Sequence, residues 1–315
     1  MERTRAESLF FVVASTLIAL GTLFAVTWVA GFDNVAAHLR AVDPVWFATA
    51  FGAQLVAYVG YVLAYREVAR VAPGCELPTR DVVAAVTAGF GSFVARGGFA
   101  VDVHAFRQAG LSDREVRVRV MGLGALEYAL LAPAACIVAI ELLADGHSPS
   151  LGLTLPWAIS VPLGFVAALW AVERREDLRA HSGRRRHLAH ILDSVQVLKV
   201  MFLQPRHLLG PIGGALYWFG DIFCLWACLQ AFTHGTPDIS LLLLGYATGY
   251  ALTRRTLPLG GAGAVDALLP FALSWCGISL SAAVLAVFAY RVFNLWLPLV
   301  PAALGLRSLR AAADL

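Results

Sequence analysis

Arg254-Arg255-Thr256-Leu257-Pro258-Leu259-Gly260-Gly261-Ala262-Gly263-Ala264-Val265-Asp266 is the stretch whose reading decides the fold. Two arginines, a proline, a glycine-rich bend and a carboxylate stand between two apolar runs, Ile239 to Ala251 and Ala267 to Cys276. In a soluble protein such a segment would be a surface loop. Here apolar segments of membrane length recur almost from end to end, and charge inside hydrocarbon is strongly disfavoured.

Composition supports the same reading. Of 315 residues, 59% are hydrophobic and 14% charged, against about a quarter charged in an ordinary globular chain, so the chain is an integral membrane protein. Five cysteines, Cys75, Cys136, Cys224, Cys228 and Cys276, lie in or beside apolar runs and read as packing residues. Cys224 and Cys228 share a helix face by spacing, but no histidine or second cysteine pair accompanies them to make a metal site. The formal charge of +3 is uninformative; the placement of the basic residues is not.

A spanning helix needs about 20 mainly apolar residues. Leu9 to Ala30, Val45 to Tyr65, Val120 to Leu143, Leu155 to Val172, Leu208 to Phe232 and Ser281 to Leu304 meet that requirement. The first follows Arg3 and Arg5 like a signal peptide, but it is too long for an h-region and reads as an uncleaved helix. Pro162 is expected to kink the fourth. Val82 to Val94 reaches only about 20 Å at helical rise, short of a core about 30 Å thick. With the segment after it, ending near Phe106, it predicts a re-entrant hairpin, and Asp238 to Thr253 with Ala264 to Cys276 predicts a second. Exposed backbone at such tips is tolerated only beside protein or a hydrated cavity, so a cavity is expected near Arg96.

The expected fold is therefore an all-α polytopic membrane protein, six full transmembrane helices plus two re-entrant helical hairpins, in one membrane domain over residues 1–315. Arg96-Gly97-Gly98, then Asp102 and Gly110-Leu111-Ser112, is matched by Gly260-Gly261-Ala262-Gly263, then Asp266 and Gly277-Ile278-Ser279. The match suggests a repeat, with units at 1–143 and 155–310. Placing both termini in the cytoplasm puts 19 of the 24 basic residues on that side, one, Arg40, opposite, and four within the membrane, as the positive-inside tendency requires. The units then run antiparallel, the pattern of alternating-access transporters. The basic connection at 173–206 falls on the cytoplasmic side, and its part from Leu188 to Leu203 has the alternation of a surface-lying amphipathic helix.

Arg96, Arg254 and Arg255 fall at the hairpin tips, and Arg291 and Asn294 in the last span. Each embedded arginine is disfavoured by roughly 2.5–3.5 kcal/mol unless it meets a carboxylate, water or an anionic ligand, and its fork suits phosphate oxygens. These five are the candidate substrate-binding residues. Asp102, Glu127, Asp221 and Asp266 are candidates for gating, proton carriage or charge balance. Alternatively, the four carboxylates simply neutralise the arginines. Gly97, Gly98, Gly260, Gly261 and Gly263 either leave backbone N–H groups for an anion or serve helix packing. No Gly-Lys-Ser/Thr ending, HExxH or GxSxG pattern occurs. His104 beside Asp102 is the nearest approach to an acid–base pair, and it reads more simply as a cavity or interface residue. No catalytic residue, cofactor, metal or nucleic-acid partner is expected; the inner-face arginines suit anionic lipid.

Pro258 to Asp266, Gly277-Ile278-Ser279 and Tyr290-Arg291 through Trp296-Leu297-Pro298 to Gly305, together with Arg96-Gly97-Gly98, Gly110-Leu111-Ser112 and Glu115, resemble the motifs of the lysylphosphatidylglycerol synthase transmembrane region, a flippase-like family. The resemblance covers most of the chain, without the cytosolic aminoacyltransferase domain, and so implies no synthesis. It implies movement of an anionic or aminoacylated phospholipid, or another phosphate-headed lipid, between leaflets of the cell's inner membrane. Asp266 stands where the family usually has glutamate, and Arg96 where a small or proline-containing lead-in is usual; both bear on the headgroup. The alternatives are a non-transporting scaffold for a lipid- or glycan-modifying enzyme, and an intramembrane enzyme using His104 and Asp102.

Overall fold

The computed structural model describes residues 2–92, 99–174, 184–233, 235, 237–251 and 261–302. Every regular element among them is helical. They are α1 (Glu2–Ala30), α2 (Phe32–Arg40), α3 (Val45–Arg70), α4 (Thr79–Ser92), α5 (Phe99–Gln108), α6 (Asp113–Ala144), α7 (Leu151–Glu173), α8 (Arg184–Leu203), α9 (Leu209–Gln230), α10 (Ile239–Tyr246), α11 (Ala264–Trp275) and α12 (Leu280–Arg291). α10 and α12 each run on into a π-helical turn, Ala247–Ala251 and Val292–Trp296. Six helices, Phe10–Ala30, Val45–Arg70, Asp113–Ala144, Leu151–Glu173, Pro205–Gln230 and Leu280–Ala302, are long and apolar enough to cross a membrane. These are the six spans expected from hydropathy, with ends shifted by a few residues. α7 continues helical through Pro156 and Pro162.

The centre of the bundle is the pair α3 and α9. They approach so closely that a Cβ on Gly220 would lie 2.5 Å from the backbone nitrogen of Ala57, and one on Gly213 2.6 Å from that of Ala64. Small residues permit that contact where lipid supplies no hydrophobic drive for helix association. In α7, by contrast, no residue of the most apolar window is buried.

α4 packs on α5, and α10 on α11. In the second pair Gly249 meets Leu269, whereas Gly245 meets Ala272, Leu273 and Cys276. One chain ascends as the other descends, so the two short helices are antiparallel. The joints that follow these pairs share one geometry. Gly110 and Gly277 take φ of 85° and 89°, a conformation open to glycine. Leu111 N–H reaches Phe106 O and Ile278 N–H reaches Leu273 O, each at 3.2 Å, closing the preceding helix in a Schellman motif. Ser112 and Ser279 then accept from the N–H three residues on, each at 3.4 Å, starting the next helix with an N-cap.

Helix α8 packs on the bundle. Its apolar face, with Leu192, Val197, Leu198 and Met201 buried, packs against α6 and α7, and Asp193 accepts from Arg114 at 3.0 Å.

Candidate functional site: buried carboxylates at the broken helices

Asp266 is the third residue of α11, and its side chain turns back to the helix start. Oδ2 accepts from the Gly263 N–H at 2.9 Å, and a carboxylate at that end is favoured by the helix dipole. Oδ1 lies 2.8 Å from Arg291 Nε on α12, with the two side chains 0% and 1% exposed. The contact is closer to a charge pair than to an aligned hydrogen bond. Gly261 and Gly263 adopt positive φ, 72° and 84°. The Gly263 N–H, expected to be available to an external anion, is taken by the protein's own carboxylate.

Asp221 on α9 is also 0% exposed, but its surroundings differ. Its carboxylate accepts from Tyr246 Oη, from Tyr290 Oη at 2.7 Å and from Asn294 Nδ2 at 2.7 Å. Tyr250 Oη donates to Asn294 Oδ1 at 2.9 Å, and Gln54 of α3 completes the cluster. Tyr246 and Tyr250, four apart, and Tyr290 and Asn294, four apart, each fall on one helix face. Both pairs stand at or inside the π-helical turns, distortions that recur at functional sites.

The other candidates sit around this centre or away from it. Glu127 on α6 is buried, and its backbone oxygen accepts from Trp218 Nε1 at 2.9 Å; Trp218 in turn lies against Tyr246. Asp102 on α5 is buried beside the Tyr65 hydroxyl, and Tyr65 stacks on Phe106 at 5.0 Å. His104, two residues on, is exposed, because i and i+2 face different ways on a helix; the two do not form an acid–base pair. Arg96, Gly97, Gly98, Arg254, Arg255 and Gly260 lie outside the described residues. Of the expected carboxylate–arginine neutralisation, Asp266 with Arg291 is observed. Asp221 departs from it, since hydroxyl and amide donors reach it first.

Sequence reasoning missed Gln54, Tyr246, Tyr250 and Tyr290. The i, i+4 tyrosine and Tyr–Asn spacings were their only signal. It also missed Arg119, buried and donating to the backbone oxygens of Val71 and Pro73, and the buried pair Glu67–His207 at 3.3 Å. A cavity of about 450 Å³ lies by Arg119, lined also by Pro73, Arg114, Glu115 and Asp193.

Residues 12–302 match the family model for the lysylphosphatidylglycerol synthase TM region. The chain belongs to that family. Membership and the six apolar helices together make it a multi-pass membrane protein. Comparison with curated proteins gave no match. Within the family region lie both short helix pairs, both Gly-x-Ser joints and every residue of the Asp221 and Asp266 clusters.

Proposed function

We propose that this chain is a flippase-like transporter that moves an anionic or aminoacylated phospholipid, or another phosphate-headed lipid, between membrane leaflets. The observation that carries the reading is the pairing of Asp266 with Arg291 at full burial, in the first turn of one short helix and midway along a spanning one. Charge held at the breaks of discontinuous helices is how many transporters build a central substrate site. The matching joints after α5 and α11 support two related units, which the basic-residue distribution would set antiparallel, with both termini in the cytoplasm and the short pairs re-entrant. In that arrangement the lipid tails stay in hydrocarbon. The headgroup passes between the pairs, meeting Arg291, Asn294 and the tip arginines Arg96, Arg254 and Arg255.

The test is transfer of fluorescent phosphatidylglycerol in proteoliposomes, read by quenching of the outer leaflet. Wild type should raise the transfer rate well above that of protein-free vesicles. Asp266→Glu, which keeps charge and reach, should retain most of it, and Arg255→Ala with Asp266→Asn should lose it while the protein elutes as a folded species. Wild-type transfer no faster than in empty vesicles would remove the proposal. The exposed apolar sides of α7 favour one second reading, a scaffold that docks a lipid-modifying membrane enzyme. Stable co-purification of such an enzyme, with no lipid flux, would be its signature.

A further inference from the structure

Asp221 has a property that headgroup recognition does not account for. Its carboxylate is wholly buried, yet Tyr246, Tyr290, Asn294 and Gln54, the groups that meet it, are all uncharged. Among the described residues no basic side chain forms an ion pair with it; the neighbouring cation, Arg291, is engaged by Asp266. Neutral donors spread a buried negative charge but do not cancel it.

A second, independent feature lies in the same cluster. Gln54 is 7% exposed, and its Oε1 has no hydrogen-bond partner. Among the described residues, a carboxylate without a cation and a carbonyl oxygen without a donor are complementary deficits. Asn294 Oδ1 and the hydroxyl oxygens of Tyr246, Tyr250 and Tyr290 belong to the same hydrogen-bonded cluster, so the oxygens it offers include a single carboxylate. That set suits a monovalent hard cation; Ca²⁺ and Mg²⁺ are commonly bound through more carboxylates or with phosphate.

We propose that Asp221, with the carbonyl oxygens of Gln54 and Asn294 and the three tyrosine hydroxyls, holds one exchangeable monovalent cation, Na⁺ or a proton, whose binding is linked to lipid movement. The proposal rests on the flippase reading. A proton would sit on Asp221 and donate to Gln54 Oε1; Na⁺ would take the oxygens as ligands. Among the described residues, the ionisable groups around Asp221 are Tyr246 from α10, Tyr250 from the π-helical turn that follows it, Tyr290 and Arg291 from α12, and Cys224 on its own helix. α9, α10 and α12 all supply the cluster, so a cation that prefers one arrangement of these helices shifts the balance between them.

Radiolabelled Na⁺ binding and proton uptake by the purified protein in detergent test the site without lipid. The expected result is saturable Na⁺ binding, or uptake of one proton per chain without Na⁺ binding; Asp221→Asn abolishes whichever occurs. Gln54→Leu, which keeps the carboxylate, weakens it by about tenfold, equivalent to about 1.4 kcal/mol, and keeps the test decisive if Asp221→Asn does not fold. Folded wild type that neither binds Na⁺ nor takes up a proton through Asp221 overturns the proposal. In proteoliposomes carrying fluorescent phosphatidylglycerol, an imposed Na⁺ or pH gradient should change the leaflet distribution. Lipid movement indifferent to both gradients overturns the coupling and leaves the flippase reading standing. Cation binding with no lipid movement removes the flippase reading, and the coupling with it.

Discussion

Asp266 and Asp221 are equally buried and held in opposite ways. Asp266 has a full charge partner in Arg291 and a backbone donor in Gly263; Asp221 has two hydroxyls and two amides. The first arrangement is a fixed clasp, since removing either member strands the other. The second stabilises a carboxylate by several modest contacts, each replaceable, and leaves it open to a change of charge. The same residue type is therefore charge-paired at the start of α11 and held by neutral donors midway along α9.

The largest expected effect breaks the clasp. Arg291→Ala strands Asp266 and should lower stability by about 3–5 kcal/mol, seen as a large fall in the unfolding midpoint in detergent. Arg291→Gln combined with Asp266→Asn should recover most of that fall, because no unpaired charge remains. Failure to recover would mean the pair does more than neutralise. Tyr290→Phe removes one of the donors to Asp221 and should destabilise by about 1.5–3 kcal/mol; a loss as large as that of Arg291→Ala would erase the distinction between the two sites.

A control for the frame around both sites is Gly220→Ala, whose Cβ would press on Ala57 N at 2.5 Å. Overpacking of this kind should destabilise by about 1–3 kcal/mol without altering the ratio between Na⁺ or proton affinities of wild type and Gln54→Leu. The smallest effect is expected at Arg107, whose pairing with Asp113 at 2.9 Å joins side chains 57% and 63% exposed. Arg107→Ala should change stability by at most about 1 kcal/mol. A large effect there would show that exposed charge at the helix ends matters as much as the buried clasp.

Much of the frame was legible from residues alone. Runs of apolar residues set the six spans, and Gly110-Leu111-Ser112 and Gly277-Ile278-Ser279 announced two joints with the same glycine φ and serine cap. At the start of α3, Asp43 Oδ1 accepts from Val45 N–H at 3.1 Å. The site was legible only in part. Charge in an apolar run is conspicuous, so Asp221, Asp266 and Arg291 stood out; tyrosines are ordinary in membrane helices, so Tyr246, Tyr250 and Tyr290 did not. The glycines of the α3–α9 contact were passed over for the same reason, since Gly60, Gly213 and Gly220 carry no turn signal and matter only because another backbone arrives beside them.

The sequence by itself determined that six apolar helices are long enough to span a membrane, roughly where they lie and which residues carry charge, because these follow from local hydropathy. Only the tertiary structure decided which carboxylate met an arginine and which met neutral donors. That choice depends on the depth and rotation at which α3, α9, α10, α11 and α12 pack, and residues far apart in the chain fix both.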